Sequence, residues 1–268
     1  MNQAASSPNR AKPLALVTGA SSGIGQVYAR RLASLGYDLI VVGRRVERLE
    51  ELAAEFPGSS IRPISADLGT GEGVEKVAAL CASEPLTMLV NNAGVSHYMA
   101  FTQLPADKAK ELLHVKVVAT TLLAHAAAPG MIARGGGTIV NVAGMLAFGG
   151  AAPLGPAAGR ATYVATLAHI VALSQALNVE LAPQGVKVQA LCPGVVATEF
   201  HTRQGMDLSA LPRMSADDVV TASLRGLELG EAICAPGVER AELLGDAVSA
   251  SLAAFGGQSP QLASRYKA

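Results

Sequence analysis

The apolar residues of the chain follow two alternating patterns, short continuous runs and longer stretches with a helical period. The continuous runs predict buried strands at 14–18, 38–42, 60–65, 87–91, 137–142 and 186–191. The helical spacing predicts helices at 24–35, 46–55, 73–83, 104–132 and 161–181. Continuously apolar strands that alternate with helices are typical of parallel sheets covered on both faces. The pattern therefore predicts an α/β fold with one doubly wound parallel sheet and helices on both faces.

The domain organisation is predicted to be simple, because no repeat, linker or shift in composition divides the chain. We expect a flexible N-terminal segment at 1–12 and a single domain at 13–268, with a substrate lid at roughly 199–225. Between the last long helix and the strand before it, residues 149–159 carry Gly, Ala or Pro at ten of eleven positions. Such a composition predicts a loop.

The composition favours a globular protein and gives no reason to expect a charged partner. Half of the residues are apolar, and 21 Lys and Arg balance 21 Asp and Glu. This balance gives no electrostatic case for nucleic acid or for an anionic membrane surface. The apolar runs are short or broken by Gly and Pro, so no membrane span is expected. The polar N-terminus lacks the apolar stretch of a secretory signal, which predicts a cytoplasmic protein.

The cysteines and histidines do not predict a metal site. Cys81, Cys192 and Cys234 are far apart and odd in number, so they suggest neither a metal spacing nor a disulfide framework. We interpret His114, His125 and His169 as packing or surface residues, because they lie on helical stretches without ligand spacing.

A glycine-rich turn follows the first predicted strand and opens the first helix, with the sequence TGASSGIG at 18–25. Gly19 permits a tight turn, Gly23 lets the backbone approach a pyrophosphate, and Gly25 lets the helix pack closely. The helix start offers free N–H groups to phosphates. In isolation the turn is also compatible with an ordinary tight strand-to-helix connection. Its position predicts a dinucleotide site that includes Gly19, Ser21, Ser22, Gly23, Ile24 and Gly25.

The spacing Thr-Gly-x-x-x-Gly-x-Gly resembles that of the short-chain dehydrogenase/reductase family, whose fold is a Rossmann-type sheet. Four later motifs support the resemblance: Asp67-Leu68, Asn91-Asn92-Ala93-Gly94, Asn141-Val142 and Pro193-Gly194-Val195-Val196-Ala197-Thr198. The separation of 30 residues between Tyr163 and Pro193 is also typical of it. The resemblance implies further cofactor contacts at Asp67, Leu68, Asn91, Ala93, Gly94, Pro193, Gly194, Val196 and Thr198.

The residues after the second strand favour NADP(H) over NAD(H). An NAD enzyme usually places an acid here to hold the ribose 2′-hydroxyl, whereas this chain has Gly43-Arg44-Arg45 and no acid before Glu47. An arginine can bind a 2′-phosphate through charge-assisted hydrogen bonds. By the resemblance, Arg44 is the first candidate and Arg45 the second. The alternative is a solvated basic turn.

The resemblance also implies four catalytic positions, of which this chain keeps one. The family uses a Tyr as proton donor or acceptor, a Lys that lowers its pKa, a Ser that orients the substrate oxygen, and an Asn that supports a water. Here Tyr163 is retained, while Leu167, Gly144 and Lys116 stand at the Lys, Ser and Asn positions.

The loss of the lysine should impair oxidation more than reduction. A free tyrosine has a pKa of about 10. A cation ~4 Å away at an effective dielectric of ~20 contributes roughly 4 kcal/mol, or about three pKa units. Without that cation a tyrosinate base is hard to form at neutral pH, whereas the neutral phenol is already the proton donor that a reduction needs.

Lys116 is a candidate for the missing cation. We hypothesise that its long side chain places an ammonium beside Leu167, so that the cation has moved from one helix to its neighbour. The alternative is that Lys116 points to solvent or pairs with an acid. Ser96, His97 and Tyr98 form a second candidate group, since Ser96 could replace the missing hydroxyl and His97 titrates in a useful range. An exposed loop trio is the favoured interpretation of these three residues.

Three functions remain open at this point. The favoured one is an atypical NADP(H)-dependent reductase for a carbonyl, imine or activated alkene of a small, mostly apolar substrate. The second is a redox-neutral lyase, isomerase or cyclase on the same scaffold, and the third is a non-catalytic NADP(H)-binding protein. The resemblance implies a homodimer or homotetramer assembled through the helices at 104–132 and 161–181.

Overall fold

Seven parallel strands form one sheet in the computed structural model of the chain, which describes residues 12–153, 159–240 and 242–267. The strands are β1 (Leu14–Thr18), β2 (Asp38–Gly43), β3 (Ile61–Ser65), β4 (Leu86–Asn91), β5 (Gly137–Val142), β6 (Val186–Leu191) and β7 (Ile233–Cys234). Their order in the sheet is β3-β2-β1-β4-β5-β6-β7. The predicted fold class is therefore confirmed.

Helices cover both faces of this sheet. They are α1 (Gly23–Ser34), α2 (Val46–Ala54), α3 (Gly71–Ser83), α4 (Ala106–Leu113), α5 (Thr120–Ala133), α6 (Ala161–Leu181) and α7 (Ala216–Leu229). The strands are apolar on both sides because each face has its own core. Val17 and Val41 belong to the cluster with α1 and α7, whereas Leu16 and Ile40 belong to the cluster with α3 and α5.

The strand order reverses between β1 and β4, and this reversal positions the site. Val17 of β1 pairs with Val41 on one side and with Val90 of β4 on the other. The connections from β1 and β4 therefore leave towards opposite faces, which opens a crevice at the carboxyl ends of the strands.

The long helix predicted at 104–132 is interrupted. It consists of α4, a short π-helix at His114–Ala119, and α5. A π-helix accommodates one extra residue per turn, so it shifts the faces that the residues after it present. The mostly apolar composition of the π-helix and α5 conceals this shift in the sequence.

Two helical stretches are long and apolar enough to span a membrane by length and composition alone, Ala106–Ala133 and Ala161–Gln184. The first of these stretches contains Pro129 and Gly130, and length and composition alone are weak evidence for a span, so the expectation of no membrane span stays a prediction. A third to a half of the apolar window in each is buried inside the protein, where α5 and α6 contact the sheet. Core helices of this kind pass the same test of length and composition.

The chain divides into two compact units, Met1–Pro236 and Gly237–Ala268. Within the described part of the second unit, α8 (Glu242–Gly256) is followed by a 3-10 turn at Ser264–Tyr266. Residues 1–11, which include most of the predicted flexible segment, lie outside the described residues, as do 154–158 of the predicted loop. The predicted lid boundary at 225 falls inside α7, whose Val219 and Val220 are buried in the core.

Candidate active site

A cavity of about 950 Å³ lies at the carboxyl ends of the strands. It is lined by the turns that follow β1 to β6, so it collects residues that are far apart in the sequence. Most of the predicted cofactor residues line it: Gly19, Ser21, Ser22, Gly23, Ile24, Arg44, Arg45, Asp67, Leu68, Ala93, Gly94, Pro193, Gly194, Val196 and Thr198. The two that do not are Asn91 and Gly25.

The glycine-rich turn has the backbone that its sequence predicts. Gly19 and Gly23 adopt positive φ angles of 67° and 56°, which L-residues with a Cβ rarely adopt. A Cβ on Gly25 would lie 2.5 Å from Gly19 O, so only glycine permits α1 to start this close to β1. The N-terminus of α1 consequently faces the cavity with no side-chain cap on its N–H groups. This arrangement suits a pyrophosphate.

The ends of β1 and β4 are tied together at the base of the cavity. The backbone N–H groups of Asn92 and Ala93 both donate to Thr18 Oγ1 at 3.0 Å, and Asn92 Nδ2 donates to Thr18 O at 3.0 Å. Asn91 does not line the cavity. It is buried, and its Nδ2 donates to Asn141 Oδ1 at 2.9 Å, which links β4 to β5. Its contact with a cofactor stays a prediction.

The two arginines after β2 have different surroundings. Arg44 is half exposed, and its nearest acid is Glu111, with Nη1 3.9 Å from Oε1. Arg45 is held against the glycine-rich turn, since its Nη2 donates to Ser22 Oγ at 2.9 Å and to Ser21 Oγ at 3.1 Å. Its Nη1 lies 2.7 Å from a carboxylate oxygen of Glu199. Both residues line the cavity.

The turn at Asp67-Leu68 and the loop after β6, which we call the lid-side loop, both line the cavity. Asp67 Oδ1 accepts a hydrogen bond from Gly69 N at 3.0 Å, which fixes the turn before α3, and Leu68 is buried beside it. On the other side, Thr198 lies so close to the glycine-rich turn that a Cβ on Gly23 would be 3.1 Å from its Cγ2. The cavity lining of the predicted lid runs from Glu199 to Leu211.

Tyr163 is buried in the cavity wall at the start of α6. Burial, and secondarily the neighbouring Tyr98, raise the pKa of its phenol above the ordinary value. The rings of Tyr98 and Tyr163 are tilted against each other with centroids 5.3 Å apart. Tyr163 therefore remains a neutral phenol at physiological pH and can donate a proton far more readily than it can accept one.

Lys116 lies in the π-helix, with 4% of its surface exposed. Its Nζ donates to Val142 O at 3.2 Å, and burial lowers its pKa to about 8. The alternative that this side chain points to solvent or pairs with an acid is wrong. A Cβ on Gly94 would lie 2.7 Å from both Cε and Nζ, so the glycine of the Asn-Asn-Ala-Gly motif makes room for the lysine.

Lys116, Tyr163 and Leu167 line the same cavity. No hydrogen bond joins Lys116 to Tyr163 in the described part of the chain. The only partner of the ammonium there is the backbone carbonyl of Val142, at the end of β5. The idea that Lys116 replaces the missing cation stays a prediction.

Gly144, which the resemblance predicts at the serine position, has no backbone strain. Its φ of 168° is ordinary extended geometry, and a Cβ placed there would meet Leu167 Cδ1 at 3.4 Å, a normal contact distance. The wall beside Leu167 therefore has space for a small side chain at this position. The backbone N–H of Met145 donates to Pro193 O at 2.9 Å and fixes this turn against the lid-side loop.

Of the three residues after Asn-Asn-Ala-Gly, which are Ser96, His97 and Tyr98, Tyr98 alone lines the cavity. Ser96 is fully buried and does not line the cavity, so it does not supply the missing hydroxyl. His97 is held by Glu111, with Nε2 3.0 Å from Oε2, and also lies away from the cavity. Tyr98 does line it, so the interpretation of all three as an exposed loop is wrong.

Sequence reasoning missed two participants in this wall, Arg160 and Glu199. Arg160 lines the cavity and is anchored on the 149–153 segment through Ala152 O at 3.0 Å. Glu199 connects the lid-side loop to α2. The sequence did not indicate the ion pairs of Glu199, because its partners Arg45 and Arg48 precede it by about 150 residues.

The parallel sheet, the glycine-rich turn and the cavity define a dinucleotide-binding oxidoreductase. The family profile described as short chain dehydrogenase matches residues 13–208. The chain belongs to the short-chain dehydrogenase/reductase family.

Two solved structures are similar over nearly the whole chain. A short-chain dehydrogenase from Sphingobium yanoikuyae in complex with NADPH is 34% identical, with a TM-score of 0.88 over 95% of this chain and 100% of its own. A bulky-bulky ketone specific alcohol dehydrogenase from Comamonas testosteroni is 31% identical, with a TM-score of 0.85 over 96% and 99%.

One curated relative bears on the question of activity. The inactive hydroxysteroid dehydrogenase-like protein 1 of Homo sapiens is 33% identical over 192 residues, which are 69% of this chain and 56% of that protein. Family members that are about one-third identical to this chain therefore include proteins named inactive.

Proposed function

We propose that the protein is an NADP(H)-dependent reductase whose proton donor is Tyr163 and whose active-site cation is Lys116. The observation that carries the proposal is the position of Lys116, buried in the wall of the same cavity as Tyr163 and the leucine at the family's lysine position. In the described part of the chain this ammonium has a backbone carbonyl but no acid as its partner, and burial of such a charge costs free energy that a chain without chemistry has no need to spend.

The direction of the reaction follows from the protonation of Tyr163. Its raised pKa keeps the hydroxyl protonated, so a proton is available for a substrate that receives a hydride. Lys116, with a pKa of about 8, is largely an ammonium at neutral pH and supplies positive charge to the cavity. Reduction is therefore favoured over oxidation.

The proposed cofactor is NADP(H). Arg44 and Arg45 face the cavity after β2, and no acid occupies the place at which an NAD enzyme binds the 2′-hydroxyl. A similar solved structure, that of the Sphingobium yanoikuyae enzyme, contains NADPH. When bound, the cofactor supplies the hydride; the glycine-rich turn, Asp67 and the Pro193–Thr198 loop hold it.

The proposed substrate is a small, mostly apolar carbonyl, imine or activated alkene. The lid side of the cavity offers Phe200, Met206, Leu208 and Leu211, and its polar lining residues are Glu199, His201, Arg203, Gln204 and Asp207. Burial lowers the pKa of His201, followed by the effect of nearby Arg213, so the imidazole is neutral at physiological pH. A bulky ketone is a suitable first compound, by analogy with the Comamonas testosteroni enzyme.

A second candidate function is binding of NADP(H) without turnover. It is favoured by Gly144, which leaves no hydroxyl beside Tyr163, and by the existence of a relative named inactive. A redox-neutral reaction that uses Tyr163 and Lys116 as acid and base is the remaining alternative. We further propose a cytoplasmic homodimer or homotetramer assembled through α4 to α6.

The test is a substrate panel of bulky ketones, cyclic imines and activated alkenes with NADPH, followed at the nicotinamide absorbance and by product analysis. The proposal expects consumption of NADPH equal to the product formed. Product without a change in absorbance would instead support a redox-neutral reaction. Tight NADPH binding with no product from any compound would support the binding-only function.

A further inference from the structure

The lid-side loop places a carboxylate on the arginine that is a candidate for the cofactor's 2′-phosphate. Glu199 lies 2.7 Å from Nη1 of Arg45, 3.0 Å from Nη1 of Arg48 and 3.4 Å from Nη1 of Arg203. Burial alone would raise the pKa of Glu199, but hydrogen bonds from Arg48, Arg45 and Ser22 outweigh it and lower the pKa to about 2. The carboxylate is therefore charged at every physiological pH.

Arg45 has few hydrogen-bond donors left for another anion. Its Nε and Nη2 point to Ser21 and Ser22 in the glycine-rich turn, and its Nη1 is held by Glu199. A guanidinium offers five N–H donors in one plane. An incoming phosphate that binds Arg45 through more than the remaining donors must displace a partner, and the partner most like a phosphate in charge and geometry is the carboxylate of Glu199.

We infer that Glu199 competes with the 2′-phosphate for Arg45 and so sets how strongly the protein discriminates NADPH from NADH. This inference rests on the proposed NADP(H) function. A nucleotide without the 2′-phosphate leaves the Glu199–Arg45 pair intact, whereas one that carries it must replace the carboxylate or bind beside it against like-charge repulsion. Glu199 therefore acts as a specificity-determining residue that weakens binding of the phosphorylated cofactor.

The same exchange connects cofactor binding to the lid-side loop. Glu199 follows Thr198, which lies against Gly23 of the phosphate-binding turn. Arg203 is four residues further on, in the 3-10 turn Thr202–Gln204 that lines the cavity. When Arg45 turns to the 2′-phosphate, Glu199 keeps Arg48, so the loop loses one of its two ion pairs with the β2–α2 region, while the pair with Arg203 lies within the loop itself.

The experiment compares Glu199→Gln with the wild type by calorimetric titration with adenosine 2′,5′-bisphosphate and with 5′-AMP, which lacks the 2′-phosphate. Neither ligand undergoes redox chemistry, so the result is independent of turnover. Glu199→Gln should bind the bisphosphate roughly threefold to tenfold more tightly while its affinity for 5′-AMP stays within about twofold. Glu55→Gln is the control, because Glu55 forms an exposed ion pair with Arg30 at 2.7 Å and does not line the cavity.

A double substitution assigns the effect to Arg45. In an Arg45→Gln background, Glu199→Gln should no longer change the ratio of the two affinities, because the contested guanidinium is absent. If the ratio still rises there, or if Glu199→Gln weakens both ligands equally, Glu199 only holds the loop and the inference is wrong.

The wild type tests the proposed cofactor separately. Equal affinity of the wild type for the two ligands would contradict the proposed NADP(H) preference. The inference about Glu199 is judged by the change in the ratio on substitution, so the two can fail independently.

Discussion

At the scale of single residues, Tyr163 is the group on which the proposed chemistry depends. Burial raises its pKa, and the ring of Tyr98 lies tilted against it with the centroids 5.3 Å apart. A buried, aromatic environment keeps the phenol neutral, which suits proton donation. The hydroxyl is the only part of the residue that reacts in the proposed step.

Removal of that hydroxyl should therefore abolish most of the activity. We expect Tyr163→Phe to lower kcat by about 10²- to 10⁴-fold, with NADPH affinity nearly unchanged, because the ring still fills the wall. Steady-state kinetics and a fluorescence titration with NADPH measure the two effects. Tyr37→Phe is the matched control, since Tyr37 packs against the core beside α1 and does not line the cavity. Equal loss of binding and turnover would contradict the role of proton donor.

Gly144 offers a gain-of-function experiment at the same scale. A serine fits, since its Cβ would meet Leu167 Cδ1 at 3.4 Å and Pro193 O at 3.6 Å. If the substrate is a carbonyl, Gly144→Ser should raise kcat/KM by roughly tenfold, which corresponds to about 1.4 kcal/mol of a new transition-state hydrogen bond. Parallel kinetics on ketones and on activated alkenes measure this. A gain on alkenes alone would contradict an orienting role on a carbonyl oxygen.

At the scale of elements, the connection from β1 to α1 depends on close packing. A Cβ on Gly25 would lie 2.5 Å from Gly19 O and against the Asn92 amide. Gly25→Ala should therefore destabilise the protein by about 1–3 kcal/mol and weaken NADPH binding, because α1 must move away from the phosphate-binding turn. Urea unfolding and NADPH titration measure both.

Gly58→Ala is the control for this substitution. A Cβ at Gly58 has no heavy atom within 4 Å, and its φ is not in the positive range. We expect unchanged affinity and nearly unchanged stability. If Gly25→Ala behaves like Gly58→Ala, the close approach of α1 is not what forms the phosphate site.

The strands and helices were predictable from the sequence because their apolar periods are strong and uninterrupted. β1, β5, β6 and α6 coincide with the predicted bounds, and the glycine-rich turn has its predicted positive φ angles. The π-helix at His114–Ala119 was not predictable, since a single extra residue leaves no mark in an apolar stretch. The strand β7 is only two residues long and carries no period.

The sequence predicted the parts of the site that lie in recognisable motifs, but it did not predict the contacts between distant elements. The predicted cofactor residues follow strand ends, so most of them line one cavity, and Asn91 and Gly25 are the two that do not. The burial of Lys116 depends on the absence of a side chain at Gly94, and the ion pair of Glu199 depends on Arg45 and Arg48 in a distant element. Contacts of this kind come from tertiary packing.

At the scale of the whole molecule, a buried ammonium affects stability as well as chemistry. Burial lowers the pKa of Lys116 to about 8, whereas a lysine in an unfolded chain has a pKa of about 10.4. Between these values the unfolded state binds more protons than the folded state, so the contribution of this group to the free energy of unfolding rises with pH. Below about pH 8 the folded protein must hold the charged form and is less stable by a constant amount.

Replacement of Lys116 isolates that contribution. Relative to the wild type, Lys116→Met should gain up to roughly 3 kcal/mol near neutral pH, and the gain should shrink towards pH 10. Urea unfolding of both proteins across this pH range measures the difference between their free energies of unfolding. The other titrating groups are the same in both proteins, so their contributions cancel in this difference. A gain that is independent of pH would show that the lysine is not buried as a charge.

The most direct test of the central claim measures NADPH-dependent reduction by the wild type and by Lys116→Met as a function of pH, with Lys110→Met, an exposed position on α4, as control. If the Lys116 ammonium is the active-site cation, kcat/KM of the wild type falls as the pH rises through about 8. The substituted protein should then be slower by about 10²-fold below that pH and should lack the inflection. Equal rates and identical pH profiles in Lys116→Met and wild type would contradict the account.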